Sequence, residues 1–254
     1  MRARLGLLLV VGLLVGFLAS CGEPEKLTAK TLFPAVSKAQ AEAGSSHMAM
    51  KLTTPSGQSF ESHGQMRLGK RPSDTAMAMT VNGGTGSMGT IELRLVGGNF
   101  YIALGALTQN KFAKIDLSDK SNPIARQYGD IVKNVDPARQ VEQYRDAITK
   151  FDSSAQPVEI DGVKTQPYRI TIDPKKAGSL ESFRKADLPS TINFTLYIDS
   201  DNLPRRMVSK VPSPAGPTRL QMDYTHWGEK VTIQAPKASN VVDQSLFDQV
   251  GKTG

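Results

Sequence analysis

The chain has one cysteine in 254 residues, Cys21, so it can form no internal disulfide and no thiolate cluster. Histidine is nearly as scarce. His47, His63 and His226 lie far apart, and no two of them have the spacing of a zinc-binding pair. Aromatic residues make up 6% of the chain, with a single tryptophan. Its basic residues are scattered, the densest pairs being Arg205-Arg206 and Lys175-Lys176, whereas a nucleic-acid binder gathers them on one face among stacking aromatics. No apolar run reaches the roughly 20 residues needed to span a bilayer. These shortages argue against nucleic acid as a partner, a metal cofactor and a cysteine nucleophile.

Three short motifs look like chemistry and fail on context. Gly84-Thr85-Gly86-Ser87-Met88-Gly89 spells a dinucleotide fingerprint, which must open a helix, yet Thr90 to Val96 alternates as a strand. Ser182-x-x-Lys185, Ser200-Asp201-Asn202 and Lys252-Thr253-Gly254 match the three motifs of penicillin-interacting serine enzymes. The last of them forms the final three residues and the middle one reads as a tight turn, so no nucleophile site is assembled. Asp199-Ser200-Asp201-Asn202 starts like a calcium loop but lacks the glycine and the bidentate glutamate that complete it. No catalytic constellation remains, and the chain reads as a non-enzyme without a cofactor.

The amino terminus carries the strongest signal. Arg2 and Arg4 precede an apolar run from Leu5 to Phe17, and Leu18-Ala19-Ser20-Cys21 closes it with small residues. This order resembles the lipobox of bacterial lipoproteins, which implies cleavage before Cys21 and a diacylglyceryl thioether on its sulfur. Two acyl chains anchor stably where one does not, at roughly 0.8 kcal/mol per buried CH₂. Residues 1–20 are then a signal peptide, 21–30 the lipidated cysteine and its tether, and 31–254 a single domain on the outer face of the membrane. The formal charge of +7 falls by two when Arg2 and Arg4 leave, a mild attraction to anionic headgroups at most.

Along the domain helical and strand periodicities alternate. Leu32, Phe33, Val36, Ala39 and Ala43 mark a helix over Thr31 to Ala43. Beyond it, alternation of period two predicts strands around 48–52, 66–68, 77–81, 91–95, 100–104 and 112–117, with Gly97-Gly98 as a hairpin turn. Asn122 to Val135 and Pro137 to Lys150 read as two helices, the second capped by Asp136. Strands resume at Val158-Ile160 and run through Tyr168 to Ile172 after a turn at Asp161-Gly162. A short helix around Lys175 to Lys185 comes next. Strands at Ile192 to Ile198, Arg206 to Val211, Leu220 to Tyr224 and Val231 to Ala235 follow, with a closing turn at Ser245 to Val250. About ten one-sided strands and few helices predict an α+β fold, a curved antiparallel half-barrel sheet wrapped around the helices, which leaves an apolar cavity.

Six of the nine methionines fall between Met48 and Met88, five of them at alternating strand positions. Methionine is flexible and polarizable and suits a surface that adapts to varied apolar partners, although a plain core reads the same way. Met50, Met66, Met79, Leu93, Phe194 and Leu196 are the candidate lining, with either sheet face eligible to be the inner one.

An ordered set of segments resembles the LppX/LprAFG-type lipoproteins of actinobacteria, which are similar in fold to the lipoprotein carriers LolA and LolB. Beside the lipobox it comprises Ile91 to Tyr101, Val158 to Val163 leading to Tyr168-Arg169-Ile170, Leu196 to Asp199 running to Asn202 through Arg206, and Trp227 to Pro236. The resemblance implies a cavity for acyl chains of lipids or glycolipids, and a role in moving or presenting them in the cell envelope with an envelope transporter as candidate partner. The alternative is an interaction or sensor lipoprotein of the same fold with a filled core.

Overall fold

The computed structural model describes residues 26–71, 74–82, 89–119, 121–122, 125, 145–176, 189–212 and 215–242. The signal segment, Cys21, the loop at 83–88, most of the two helices expected over 122–150, nearly all of the one expected over 175–185 and the closing turn at 245–250 lie outside these residues.

The helix expected at the start of the domain is present as α1, Leu32–Ala43. Thr28 and Thr31 exchange bonds ahead of it: the Thr28 N–H donates to Thr31 Oγ1 at 2.8 Å and the Thr31 N–H to Thr28 Oγ1 at 3.3 Å. At its other end Gly44 takes a left-handed φ of 73° and its N–H bonds the Gln40 carbonyl, the glycine stop of a helix.

Thirteen strands follow among the described residues. They are β1 Ser45–Thr53, β2 Ser59–Arg67, β3 Ala76–Asn82, β4 Thr90–Val96, β5 Asn99–Leu104, β6 Phe112–Asp116, β7 Ile148–Asp152, β8 Val158–Ile160, β9 Val163–Ile172, β10 Ile192–Ile198, β11 Pro204–Val211, β12 Thr218–Thr225 and β13 Val241–Val242. They form one large curved sheet in the order β13-β6-β5-β4-β3-β2-β1-β12-β11-β10-β9-β7, with β8 paired to β9. All pairs are antiparallel except β13 with β6. The two-residue turns at Gly97-Gly98 and Asp161-Gly162 have positive φ at both positions, the backbone that matches strand twist in a tight hairpin.

Several elements differ from the sequence expectation: β2 begins at Ser59, well before the strand expected around 66–68, β13 has no counterpart in it, and two further differences have a clear cause. The helix expected to run to Lys150 has given way by Ile148, where β7 begins against β9. Ile148 and Phe151 are three residues apart, which reads as one helical face. A register shift between Ile148 and Lys150 inserts an extra residue, so the same spacing places both side chains on one face of a strand. Conversely, Val231 to Ala235 pairs with no strand. Its alternation is real but is satisfied by packing, since Val231 and Ile233 are buried against Ala76 with Ala78 and Val96 beside them.

The core sits mainly on one face of the sheet, in two separate clusters. At the β9–β10 end, Leu32 and Val36 of α1 meet Tyr168, Ile170, Ile172, Leu196, Ile198 and Ala147. At the β5–β6 end, Phe100, Ile102, Ala113 and Ile115 pack with Ala125.

Candidate functional site

Side chains directly opposite one another on paired strands share a face, so register alone decides which residues stand together. One cross-strand row runs Tyr168, Leu196, Met207, Met222, Met50, Ser62, Val81, Ile91 and Leu104, from β9 across to β5. A second runs Tyr224, Met48, Gly64, Met79, Leu93 and Ile102, and a third Ser46, Met66, Met77, Leu95 and Phe100. Phe194 stands in a fourth, between Ile170 and Ser209. No charged side chain interrupts them.

Met50, Met66, Met79, Leu93, Phe194 and Leu196 therefore all lie on one face, the face that carries α1 and both core clusters. Their surroundings differ. Leu196 is buried in the α1 cluster and Phe194 packs against it, while Leu93 packs against the cluster at the other end. Met50, Met66 and Met79 are half-buried between the two. All seven methionines among the described residues, Met48, Met50, Met66, Met77, Met79, Met207 and Met222, share this face and are half-buried. Cys21 lies outside the described residues.

Two polar atoms mark the methionine face. The hydroxyls of Ser46 and Ser62 are buried on it and have no hydrogen-bond partner among the described residues. A buried unpaired hydroxyl costs about 1–3 kcal/mol, so these two positions favour an oxygen-bearing neighbour. Sequence alternation places both serines among apolar residues without showing that they are buried.

Of the clefts that the described residues form, one lies at the rim and others on the opposite face of the sheet. At the rim, a cleft of about 650 Å³ is lined by Lys26, Leu27, Tyr168, Gln166, Ile198 and Asn202 among others. Here the Leu27 N–H donates to the Tyr168 hydroxyl at 3.1 Å, and burial pushes the Tyr168 phenol above its ordinary pKa. The Asp199 carboxylate beside it accepts from the backbone N–H groups of Asp201 and Leu203 and from Arg205 Nε at 2.6 Å, which closes the turn between β10 and β11. Trp227 Nε1 donates to the Pro204 carbonyl and its ring stacks on Tyr224, tying the segment after β12 to β11.

Among the described residues no three of His, Cys, Asp and Glu converge on a metal site. The β1–β12 pairing of His47 with Thr225 does bring the His47 and His226 rings to 4.7 Å, a proximity that sequence spacing could not reveal. No helix among the described residues is long and apolar enough to cross a membrane.

No family model and no curated protein matches the sequence. Solved structures do. LprF from Mycobacterium bovis aligns over 83% of this chain and 97% of its own, with a TM-score of 0.56 and 15% identity. The lipoprotein LppX from Mycobacterium tuberculosis aligns over 82% and 100%, with a TM-score of 0.53 and 16% identity. At the level of the fold, the resemblance to LppX/LprAFG-type lipoproteins holds along nearly the whole length of both structures.

Proposed function

We propose that the protein is an exported lipoprotein, anchored through Cys21 to the outer face of the cell membrane, that binds acyl chains of lipids or glycolipids against its methionine face and carries or presents them in the envelope. The observation that carries this reading is the continuous uncharged row from Tyr168 to Leu104, whose middle is half-buried methionine rather than packed core. Keeping acyl chains out of water supplies the binding energy, at roughly 25 cal/mol per Å² buried. Methionine side chains adjust to chains of different shape. The shared fold with the lipoprotein LppX supports the same reading.

The test is intact mass spectrometry of residues 22–254, produced in the native host and purified without detergent, followed by solvent extraction. A stoichiometric co-purifying lipid is the expected result. An apo mass that stays unchanged after incubation with host lipids would instead favour a filled core and an interaction role.

A further inference from the structure

The opposite face of the sheet holds a second feature, unrelated to acyl chains. A cleft of about 580 Å³ lies across β7, β9, β10 and β11, within the size range of small-molecule sites. Its rim carries Lys150, Arg169 and Lys210, with Thr171, Asn193 and Thr195 between them. Register explains the grouping. Lys210, Asn193, Thr171 and Lys150 form one cross-strand row, and Val208, Thr195, Arg169 and Asp152 form the next. With strands about 4.8 Å apart, Lys210 and Lys150 stand roughly 14 Å from each other at opposite sides of the cleft.

Two facts set this cluster apart from an ordinary solvated face. On β12, Arg219 stands directly opposite Lys210, and like charges so placed destabilise a sheet. Lys150, Lys210 and Arg219 have no ion-pair partner among the described residues, whereas on the same face Lys51 is paired with Glu61 and Arg206 with Asp223. In addition, the charged groups that line the cleft beside the apolar Phe151, Ile170, Phe194 and Val208 are mostly cationic, Lys150, Arg169 and Lys210 against Asp152. Asp152, the one carboxylate in the lining, is held by Arg169 Nη1 at 3.1 Å and by Ser154. Thr171 Oγ1 donates to Asn193 Oδ1 at 2.7 Å, which leaves the Asn193 amide N–H groups as the free part of that side chain. An arginine fork has five N–H donors, so Arg169 keeps further ones for a ligand.

We propose that this cleft is a binding site for a phosphate-bearing anion, held between Lys150, Lys210 and Arg169 with Asn193 and Thr195 donating to its oxygens, and with Arg219 supporting it from β12. Several donors and more than one positive charge match the multiple oxygens and charge of a phosphate group. The volume exceeds what a bare phosphate fills and suits a phosphate ester, whether a free one or the headgroup of a phospholipid.

The test is isothermal titration of the full chain in non-ionic detergent at low salt. Inorganic phosphate, glycerol phosphate and dihexanoyl phosphatidylglycerol below its micelle concentration serve as probes, with dihexanoyl phosphatidylcholine as the acyl-chain control. The triple variant K150Q/K210Q/R219Q is expected to bind the phosphate probes at least tenfold more weakly, with K51Q unchanged within twofold. Glycerol phosphate binding as well as or better than the phosphatidylglycerol assigns the site to free phosphate esters. Binding of the phosphatidylglycerol that exceeds both glycerol phosphate and the phosphatidylcholine assigns it to a lipid headgroup. Absence of binding by all three phosphate probes, equal binding by the triple variant, or an equal loss in K51Q would overturn the proposal, the last by showing diffuse charge instead of a cleft. A phosphatidylcholine signal that survives in the triple variant reports the methionine face and leaves this comparison intact.

Discussion

Gly64 sits in the methionine rows because the backbone leaves no room for a side chain there. A Cβ at that position would stand 2.7 Å from the Ala78 carbonyl oxygen, and neither strand can yield without losing its pairing. Gly64→Ala is therefore expected to destabilise by about 1–3 kcal/mol, read as a lower urea midpoint. Asp152 illustrates a charge effect at the same scale. The Ser154 hydroxyl and N–H and the Arg169 guanidinium hold its carboxyl down from 3.8 to about 2. A carboxyl lowered in the folded state stabilises above its unfolded pKa and loses that contribution as pH falls through the folded value. The contribution of Asp152 should thus fade between about pH 4 and 2, and Asp152→Asn should flatten the acid limb of a stability profile over that window.

Among the elements, α1 is the one whose energetic role is plainest. Leu32 is fully buried, at 0% exposure, and with Val36 it covers the β9–β10 end of the sheet. Leu32→Ala is expected to cost about 2–5 kcal/mol in a thermal or denaturant melt, because a cavity opens in a cluster braced by strands that cannot collapse into it. Elements were legible in the sequence where one local rule decided them. Alternation marked β3, β4 and β10, and paired turn residues marked the hairpins at Gly97-Gly98 and Asp161-Gly162. Elements were misread where a nonlocal partner decided. The Ile148–Phe151 spacing belongs to a bulged strand because β9 lies beside it. The alternation of Val231 and Ile233 is spent on packing against Ala76, not on a hydrogen-bonded ladder.

For the molecule as a whole, the informative contrast is between positions on one face. Met50 lies half-buried between the two clusters, while Leu196 is buried inside one of them. Met50→Trp is expected to leave the melting temperature near that of the wild type and to block lipid uptake. Leu196→Trp should overpack its cluster and destabilise by about 1–3 kcal/mol. Loss of stability in Met50→Trp without any change in lipid content would sink the carrier reading. Alternation supplied the parity of the candidate lining, but only register across β1, β11 and β12 shows that the two halves of the sheet contribute to one surface. The basic row from Arg219 to Lys150 was invisible for the same reason, since its members lie far apart in sequence and meet through strand pairing. The bond from the Leu27 N–H to the Tyr168 hydroxyl also has a mechanical meaning. It works as a cleat on a mooring line: from Cys21 to Leu27 the chain can pay out roughly 20 Å at full stretch. With Cys21 lipidated as proposed, the tether ends where Leu27 meets both Tyr168 and the α1 cluster, so that this edge of the sheet is held nearer the bilayer than the far edge at β6. Tyr168→Phe would remove the bond and leave Leu27 held by its packing against the α1 cluster.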